Sequence, residues 1–216
     1  MKRIRVERHT TLFRILHWLI FAEGLLLGLT GAQLSGIGGL QVFPEATRAL
    51  HVVTGLAFTA TAIFFFYYFV VSGDYRWYGL RRIPYSLRFM VAEARAWFGI
   101  GPHIEEPIRY DPKRREYVEK IVPTEAMVWW IYFALGVLII ITGAALAFPD
   151  KLAIVYDIAG YLSPLLGGGP YAVLRAIHRL VALLIFGVVI LHAYAAWVFG
   201  MLRAITLGHR DEPVAE

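Results

Sequence analysis

Four long apolar windows constrain the fold of this chain more than any other feature of its sequence. They cover residues 12–31, 50–71, 126–148 and 171–199. A helix of roughly 20 apolar residues crosses a hydrocarbon core about 30 Å thick, and each window is long enough. Because lipid offers no water to unpaired backbone groups, spanning segments of this kind are helical. The windows therefore predict an all-α, integral membrane four-helix bundle, which we treat as a single domain over residues 1–216.

The composition agrees with a membrane protein and excludes several kinds of metal centre. Of the 216 residues, 58% are hydrophobic and only 17% are charged, against about 25% charged in soluble domains. The chain contains no cysteine. It therefore forms no disulfide, thiolate zinc site, cysteine-ligated iron–sulfur cluster or covalently attached c-type haem. Any iron–sulfur cluster that works with this chain belongs to another protein.

The distribution of lysine and arginine predicts the orientation of the bundle. If successive windows alternate in direction, 17 of the 21 basic residues lie on one side, and ten of these are in the long segment 72–125. The positive-inside rule places this side, with both termini, in the cytoplasm. Topology thus accounts for the net charge of +5, and we expect no nucleic-acid partner.

Two connecting segments are expected to have structure of their own. In the cytoplasmic segment 72–125, apolar residues recur at helical spacing from Tyr85 to Phe98 and predict an additional helix on the membrane surface. Its apolar face comprises Leu87, Val91, Ala94 and Phe98. On the other side, residues 149–170 contain two prolines and a Gly-Gly-Gly-Pro run, which predict a structured loop.

Four of the seven histidines lie in or at the edges of the windows, where ionisable groups are costly and indicate function. These four are His17, His51, His178 and His192, whereas His9, His103 and His209 lie in polar segments. For any one of the four, a hydrogen bond to a neighbouring helix is the alternative. Glu23 is a further ionisable group in the first window, and both a proton relay and a bond to a neighbouring helix are open for it.

The spacing of the histidines predicts two pairs at different depths. His178 and His192 are 14 residues apart in one window, which is about 40° short of four helical turns and about 21 Å along the axis. One helix face therefore carries two candidate ligands. Because the windows alternate in direction, His51 lies at the level of His178 and His17 at the level of His192.

Two bis-histidine pairs favour haem over zinc and diiron centres. Zinc takes three or four protein ligands, and a diiron carboxylate site needs Glu-x-x-His pairs that the windows lack. Haem iron needs only axial imidazoles, because the porphyrin supplies the other ligands.

Three of the four histidines are preceded by an arginine three residues earlier, on the same helix face. The arginines are Arg14, Arg48 and Arg175. Guanidinium pairs well with carboxylate, so they are candidates for contacts with haem propionates. The alternative is that they extend toward the membrane–water interface.

Five motifs are spread over residues 12–205, namely Arg14-Ile-Leu-His17-Trp18, Leu29-Thr30-Gly31, Leu50-His51, Ile177-His178 and Leu191-His192-Ala193-Tyr194. Together they resemble the dihaem cytochrome b, or gamma, subunits of membrane-bound formate dehydrogenases, to which subunits of thiosulfate reductases and nickel–iron hydrogenases are related. The resemblance implies two b-type haems in the prokaryotic cytoplasmic (inner) membrane. Their ligands would be His51 with His178 on the outer side and His17 with His192 on the inner side.

The same resemblance implies a role in a respiratory complex. A catalytic subunit and an iron–sulfur subunit deliver electrons on the outer side, and a quinone, menaquinone or ubiquinone, is reduced near the cytoplasmic face. Substrate catalysis then lies in another chain. Before the third span, this sequence departs from the family's Lys-Tyr-Asn and Gln-Lys pattern. The partial matches leave Lys120, Glu125 and Arg14 as candidate quinone contacts.

Two other functions are compatible with the sequence. A stand-alone cytochrome of the bacterial b561 kind would exchange electrons between quinol and a small oxidant. A membrane anchor with structural histidines would bind no haem and would be colourless.

Overall fold

The computed structural model describes residues 2–43, 45–102 and 107–215, so His103 lies outside the described residues. Most of the described chain is helical. The helices are α1 (Thr11–Leu34), α2 (Thr47–Val71), α3 (Ile83–Trp97), α4 (Pro123–Ala147), α5 (Ala153–Leu166), α6 (Pro170–Val198) and α7 (Leu202–Leu207). The strands are β1 (Arg3–Glu7), β2 (Arg109–Asp111), β3 (Glu116–Glu119) and β4 (His209–Pro213).

The four longest helices confirm the predicted spans and the all-α membrane fold. Helices α1, α2, α4 and α6 are each long and apolar enough to cross a membrane, and their ends lie within three residues of the predicted windows. α4 begins at Pro123, where a missing N–H breaks no helical hydrogen bond. Many large apolar side chains along these helices are exposed, as a surface that faces lipid requires.

The chain divides into two compact units. Unit 1 comprises Met1–Arg14, Tyr67–Tyr132 and Val189–Glu216, and unit 2 comprises Ile15–Phe66 and Phe133–Val188. Unit 1 contains the strands, α3, α7 and one end of each long helix. Unit 2 contains α5 and the remaining part of each long helix.

The described residues of unit 1 form two small antiparallel sheets that the sequence analysis did not predict. β1 pairs with β4, from Arg3 opposite Pro213 to Glu7 opposite His209, and β2 pairs with β3. The β1 sequence Arg-Ile-Arg-Val-Glu alternates polar and apolar residues, which is the period of a strand. This short alternation is the signal from which β1 could have been predicted.

A buried ion pair joins β4 to the N-terminal segment of unit 1. Arg8 Nη1 lies 2.7 Å from Glu212 Oε1, and both side chains are almost inaccessible to solvent. Arg210 Nη1 lies 2.7 Å from the other oxygen of the same carboxylate, and the Tyr117 hydroxyl donates to Glu212 Oε1 at 3.2 Å. Burial and the Glu212 charge raise the pKa of the Tyr117 phenol, so it stays protonated as a donor.

The predicted additional helix is present as α3 and has two different faces. Ser86, Phe89 and Ala96 are buried within unit 1, where Phe89 packs with Ile108 and Val122. The predicted apolar face lies on the opposite side of the helix from these buried residues. All of its members are exposed, namely Leu87, Val91, Ala94 and Phe98. This face is therefore available to lipid.

In unit 2, residues 153–166 form helix α5, where the sequence analysis predicted a structured loop. That prediction was wrong for these residues. Pro164 lies in the last turn of α5, so the hydrogen bond lost with its N–H is at the end of the helix. Ala159 packs with Ala145, Val173 and Leu174 in the core of unit 2, and this apolar contact stabilises the helix despite the proline.

Candidate haem-ligand histidines

His51 of α2 and His178 of α6 face each other within unit 2. Their ring centroids are 6.3 Å apart, and the ring planes are inclined by 80°. An imidazole nitrogen lies about 2 Å from a transition metal that it ligates. Two rings on opposite sides of one metal therefore have centroids roughly 6 Å apart. The observed distance between the rings fits two axial ligands of a single iron.

Each of these rings contacts a threonine hydroxyl on the long helix that precedes its own. Thr30 Oγ1 of α1 lies 2.8 Å from Nδ1 of His51, and Thr142 Oγ1 of α4 lies 2.9 Å from Nδ1 of His178. Both threonines are buried, at 0% and 3% exposure. Because Nδ1 of each ring is hydrogen-bonded, Nε2 is the nitrogen that could ligate a metal.

A glycine follows each threonine and lies against the same imidazole ring. A Cβ atom built on Gly31 would lie 3.4 Å from Cε1 of His51, and one built on Gly143 would lie 3.1 Å from Cε1 of His178. Favourable carbon–carbon contacts are about 3.5–4.0 Å long, so a side chain at residue 143 would crowd the ring. The two Thr-Gly dipeptides thus combine a hydrogen-bonding group with close backbone approach.

The two histidines suit a cofactor that itself supplies most of the ligands of its metal. Across the residues that the structure describes, no three His, Cys, Asp or Glu side chains form a group that could hold a metal ion. A zinc site would use three or four such ligands. Haem iron takes two axial ligands from the protein and the rest from the porphyrin. The residues around His51 and His178 therefore fit a b-type haem.

The candidate propionate arginines of unit 2 are Arg48 and Arg175, and both are exposed near the start of their helices. Arg175 Nη2 donates to the Leu34 carbonyl oxygen at 3.0 Å. A guanidinium has five N–H donors, so this bond leaves others for a carboxylate. In unit 1, Arg14 Nη1 donates to the Thr206 carbonyl oxygen at 2.8 Å, which ties the start of α1 to α7.

The other two histidines belong to different units. His17 of unit 2 has the Trp18 ring beside it, with centroids 5.5 Å apart. His192 of unit 1 meets the ring of Tyr132 edge-on, with centroids 6.0 Å apart. The pairing of His17 with His192 stays a prediction.

The candidate quinone residues Lys120 and Glu125 take part in the polar structure of unit 1. Lys120 Nζ lies 2.6 Å from Asp74 Oδ1, and the Lys120 carbonyl oxygen accepts from Arg8 at 2.6 Å. Glu125 Oε1 accepts the Val122 N–H at 3.1 Å where α4 begins. Both side chains therefore have local structural contacts, and their contact with a quinone stays a prediction.

Thr30 and Thr142 are the site residues to which the sequence analysis assigned no role. The signal that could have identified them is the repeated Thr-Gly dipeptide near the ends of the first and third spans. For Glu23, the structure favours the bond to a neighbouring helix, because Thr61 Oγ1 of α2 donates to Glu23 Oε1 at 3.1 Å.

Comparison with protein families gives one result that covers nearly the whole chain. A family model described as prokaryotic cytochrome b561 matches residues 8–207. The matched range contains the four spans and all four histidines of the windows. No curated protein matches the chain.

Proposed function

The chain belongs to the prokaryotic cytochrome b561 family, and from this premise we propose that it is the electron-transfer subunit of a respiratory oxidoreductase complex. As a member of the family, it is an integral membrane b-type cytochrome that binds b-type haem. We propose two haems per chain, one held by His51 and His178 and the other by His17 and His192. The observation that carries the proposal is the facing pair of His51 and His178.

In this proposal, each bound haem supplies a one-electron redox centre, and the protein binds the haem, orients it and keeps water away from it. His51 and His178 present imidazole nitrogens from two helices, and Thr30 and Thr142 hold those rings. The apolar helices exclude water from the spans. Arg48 and Arg175 offer cationic groups to propionates at the end of unit 2.

We propose that an iron–sulfur partner docks on the outer side, at α5. This helix exposes a stripe of large apolar side chains at helical spacing, namely Ile154, Ile158, Tyr161 and Leu165. Their exposure ranges from 57% to 85%, whereas the opposite face of α5 packs on unit 2. Because the chain has no cysteine, the clusters and the substrate chemistry belong to the iron–sulfur and catalytic partner subunits.

We propose that the electrons reduce a quinone, menaquinone or ubiquinone, near the cytoplasmic side, within reach of unit 1. The candidate contacts are Lys120, Glu125 and Arg14. Unit 1 carries most of the basic residues, and the positive-inside rule favours its placement on the cytoplasmic side of a prokaryotic inner membrane. The resemblance to the gamma subunits of formate dehydrogenases supports this direction of electron transfer.

A stand-alone cytochrome that exchanges electrons between quinol and a small oxidant is the second candidate function, and the family description is compatible with it. The two candidates differ in their partners. Isolation of the protein in mild detergent together with an iron–sulfur subunit supports the complex, whereas isolation as a lone haem protein from native membranes supports the stand-alone cytochrome. The third reading, an anchor without haem, is disfavoured by membership in a b-type cytochrome family.

Haem content and electron transfer test the proposal together. Wild-type protein is expected to show sharp b-type bands in a reduced-minus-oxidised spectrum and about two haems per chain. A His192→Ala variant is expected to retain half of the haem and to lose quinone reduction, while oxidation of the donor with an artificial dye continues in the purified complex. A His209→Ala variant, changed in a polar segment, is the control and retains both haems. A colourless wild-type protein, or quinone reduction that survives in His192→Ala, contradicts the proposal.

A further inference from the structure

The two Thr-Gly dipeptides of unit 2 make the same kinds of contact with their histidines, although the dipeptides lie on different helices. Each threonine hydroxyl contacts an imidazole Nδ1, and each following glycine lies against the same ring, more tightly at Gly143 than at Gly31. Two independent occurrences of one arrangement, on the two members of one histidine pair, indicate a shared purpose.

The hydrogen bonds of each hydroxyl determine which group donates. Thr30 Oγ1 lies 2.7 Å from the Leu26 carbonyl oxygen, and Thr142 Oγ1 lies 2.7 Å from the Leu138 carbonyl oxygen. A carbonyl oxygen can only accept, so the single hydroxyl proton is directed to it. The hydroxyl oxygen then accepts from the imidazole, which requires a proton on Nδ1. Both histidines are thereby assigned the tautomer in which Nε2 carries the lone pair.

We infer that Thr30 and Thr142 are positioning residues that fix the tautomer and orientation of both axial ligands of one haem and lower its reduction potential. The inference rests on the proposed function, because it needs a haem held by His51 and His178. A hydrogen bond accepted from Nδ1–H makes the imidazole a stronger electron donor through Nε2. Stronger donation stabilises oxidised iron relative to reduced iron and so lowers the potential.

The arrangement also makes the two ligands equivalent. Each ring has one threonine acceptor, and each threonine hydroxyl donates to the carbonyl oxygen four residues earlier. Loss of either hydroxyl is therefore expected to raise the reduction potential of this haem, and loss of both is expected to raise it further. Thr30 and Thr142 contact the rings of His51 and His178, so we expect their substitution to leave the haem assigned to His17 and His192 unchanged. Its potential serves as a reference within the same molecule.

The test uses Thr30→Val, Thr142→Val and the double variant of the full-length protein in detergent or native membranes. Valine keeps the branched shape and removes the hydroxyl. Thr59→Val is the matched control, because Thr59 also lies on a membrane helix of unit 2 and donates to the carbonyl four residues earlier, Gly55 O, at 2.8 Å. Thr142→Ser restores a hydroxyl without the methyl group.

The measurements are haem content, a redox titration followed in the haem absorption bands, and the low-temperature electron paramagnetic resonance spectrum of the oxidised protein. We expect one of the two haem potentials to rise in each valine variant and to rise further in the double variant, with an altered resonance of that haem only. Thr142→Ser returns the potential toward the wild-type value, and Thr59→Val leaves both potentials unchanged. Loss of this haem from the valine variants, with retention in Thr142→Ser and Thr59→Val, is the stronger form of the same result.

Two outcomes overturn the inference in distinguishable ways. If wild-type protein contains two haems and the valine variants have the same potentials and resonances as Thr59→Val, the threonines are not positioning residues, and the proposed function stands. If wild-type protein contains no haem, the proposed function fails and the inference fails with it.

Discussion

Single glycines in unit 2 lie where neighbouring rings approach the helix backbone. An added Cβ on Gly28 would collide with the Phe186 ring, and one on Gly143 would lie 3.1 Å from His178 Cε1, a tight contact. Glycine is common in membrane helices because it lets neighbouring helices approach. Here it also brings an imidazole ring against the backbone of α4.

At the residue scale, Gly143→Val is expected to displace the His178 ring and to reduce haem content to about half, since one axial ligand then fails to reach iron. Gly136→Val is the control, because Gly136 lies on the same helix and an added Cβ there would have no described atom within 4 Å apart from its chain neighbours and its own helix backbone. Haem content per chain, measured from the alkaline pyridine spectrum, checks the prediction. Equal haem content in the two variants would contradict it.

In unit 1, a buried carboxylate on β4 holds together residues from several segments of the chain. Glu212 on β4 is 0% exposed, and it accepts from Arg8, Arg210 and Tyr117. Burial of the Arg8 guanidinium lowers its pKa, but the neighbouring Glu125 and Glu212 carboxylates outweigh this and raise the pKa overall. Arg8 therefore stays charged, and the pairing of β1 with β4 relies on a complete set of partners.

At the scale of elements, Glu212→Gln is expected to destabilise unit 1 by roughly 3–5 kcal/mol, because it leaves buried arginine charges without a counter-charge. The expected observation is a lower apparent Tm in detergent, with faster proteolysis of the terminal strands. Asp211→Asn, an exposed carboxylate next to it on β4, is the control and should unfold at nearly the wild-type temperature. A Glu212→Gln protein as stable as Asp211→Asn would show that the buried pair is dispensable.

At the scale of the whole molecule, basic residues and exposed apolar residues are distributed unequally between the connecting segments. The segment 72–125 holds ten of the 21 basic residues, whereas the connection between α4 and α6 holds one lysine and the exposed apolar stripe of α5. A membrane protein of this kind meets the cytoplasm on its basic side. Under the proposed function, we therefore expect the partner to bind α5 from the outer side.

The absence of cysteine allows this orientation to be tested without background. In intact cells, a membrane-impermeant maleimide is expected to label Lys151→Cys, which lies just before α5. It is expected to label Val118→Cys on β3 only after permeabilisation. The unmodified chain has no thiol and is the control for labelling of other proteins. The reverse pattern of labelling would contradict the proposed orientation.

Docking at α5 is a separate expectation for the whole molecule. Leu165→Glu places a charge in the exposed stripe, where Leu165 is 81% exposed, and it is expected to reduce recovery of the iron–sulfur partner several-fold without loss of haem. Val118→Glu, which changes an exposed apolar residue of unit 1, is the matched control. Unchanged recovery of the partner with Leu165→Glu would exclude the stripe as its docking surface.

The sequence by itself determined the four spans, because lipid permits only a helix for an apolar segment of that length. It also determined which imidazoles could be ligands, since helical periodicity sets the face and depth of each residue. It did not predict α5, whose helix is stabilised by packing against α4 and α6, or the pairing of β1 with β4, whose strands lie at opposite ends of the chain. Only the tertiary structure showed that Thr30 and Thr142 contact the histidines. Each of these contacts joins residues on different helices, and a local sequence pattern contains no information about which helix becomes a neighbour.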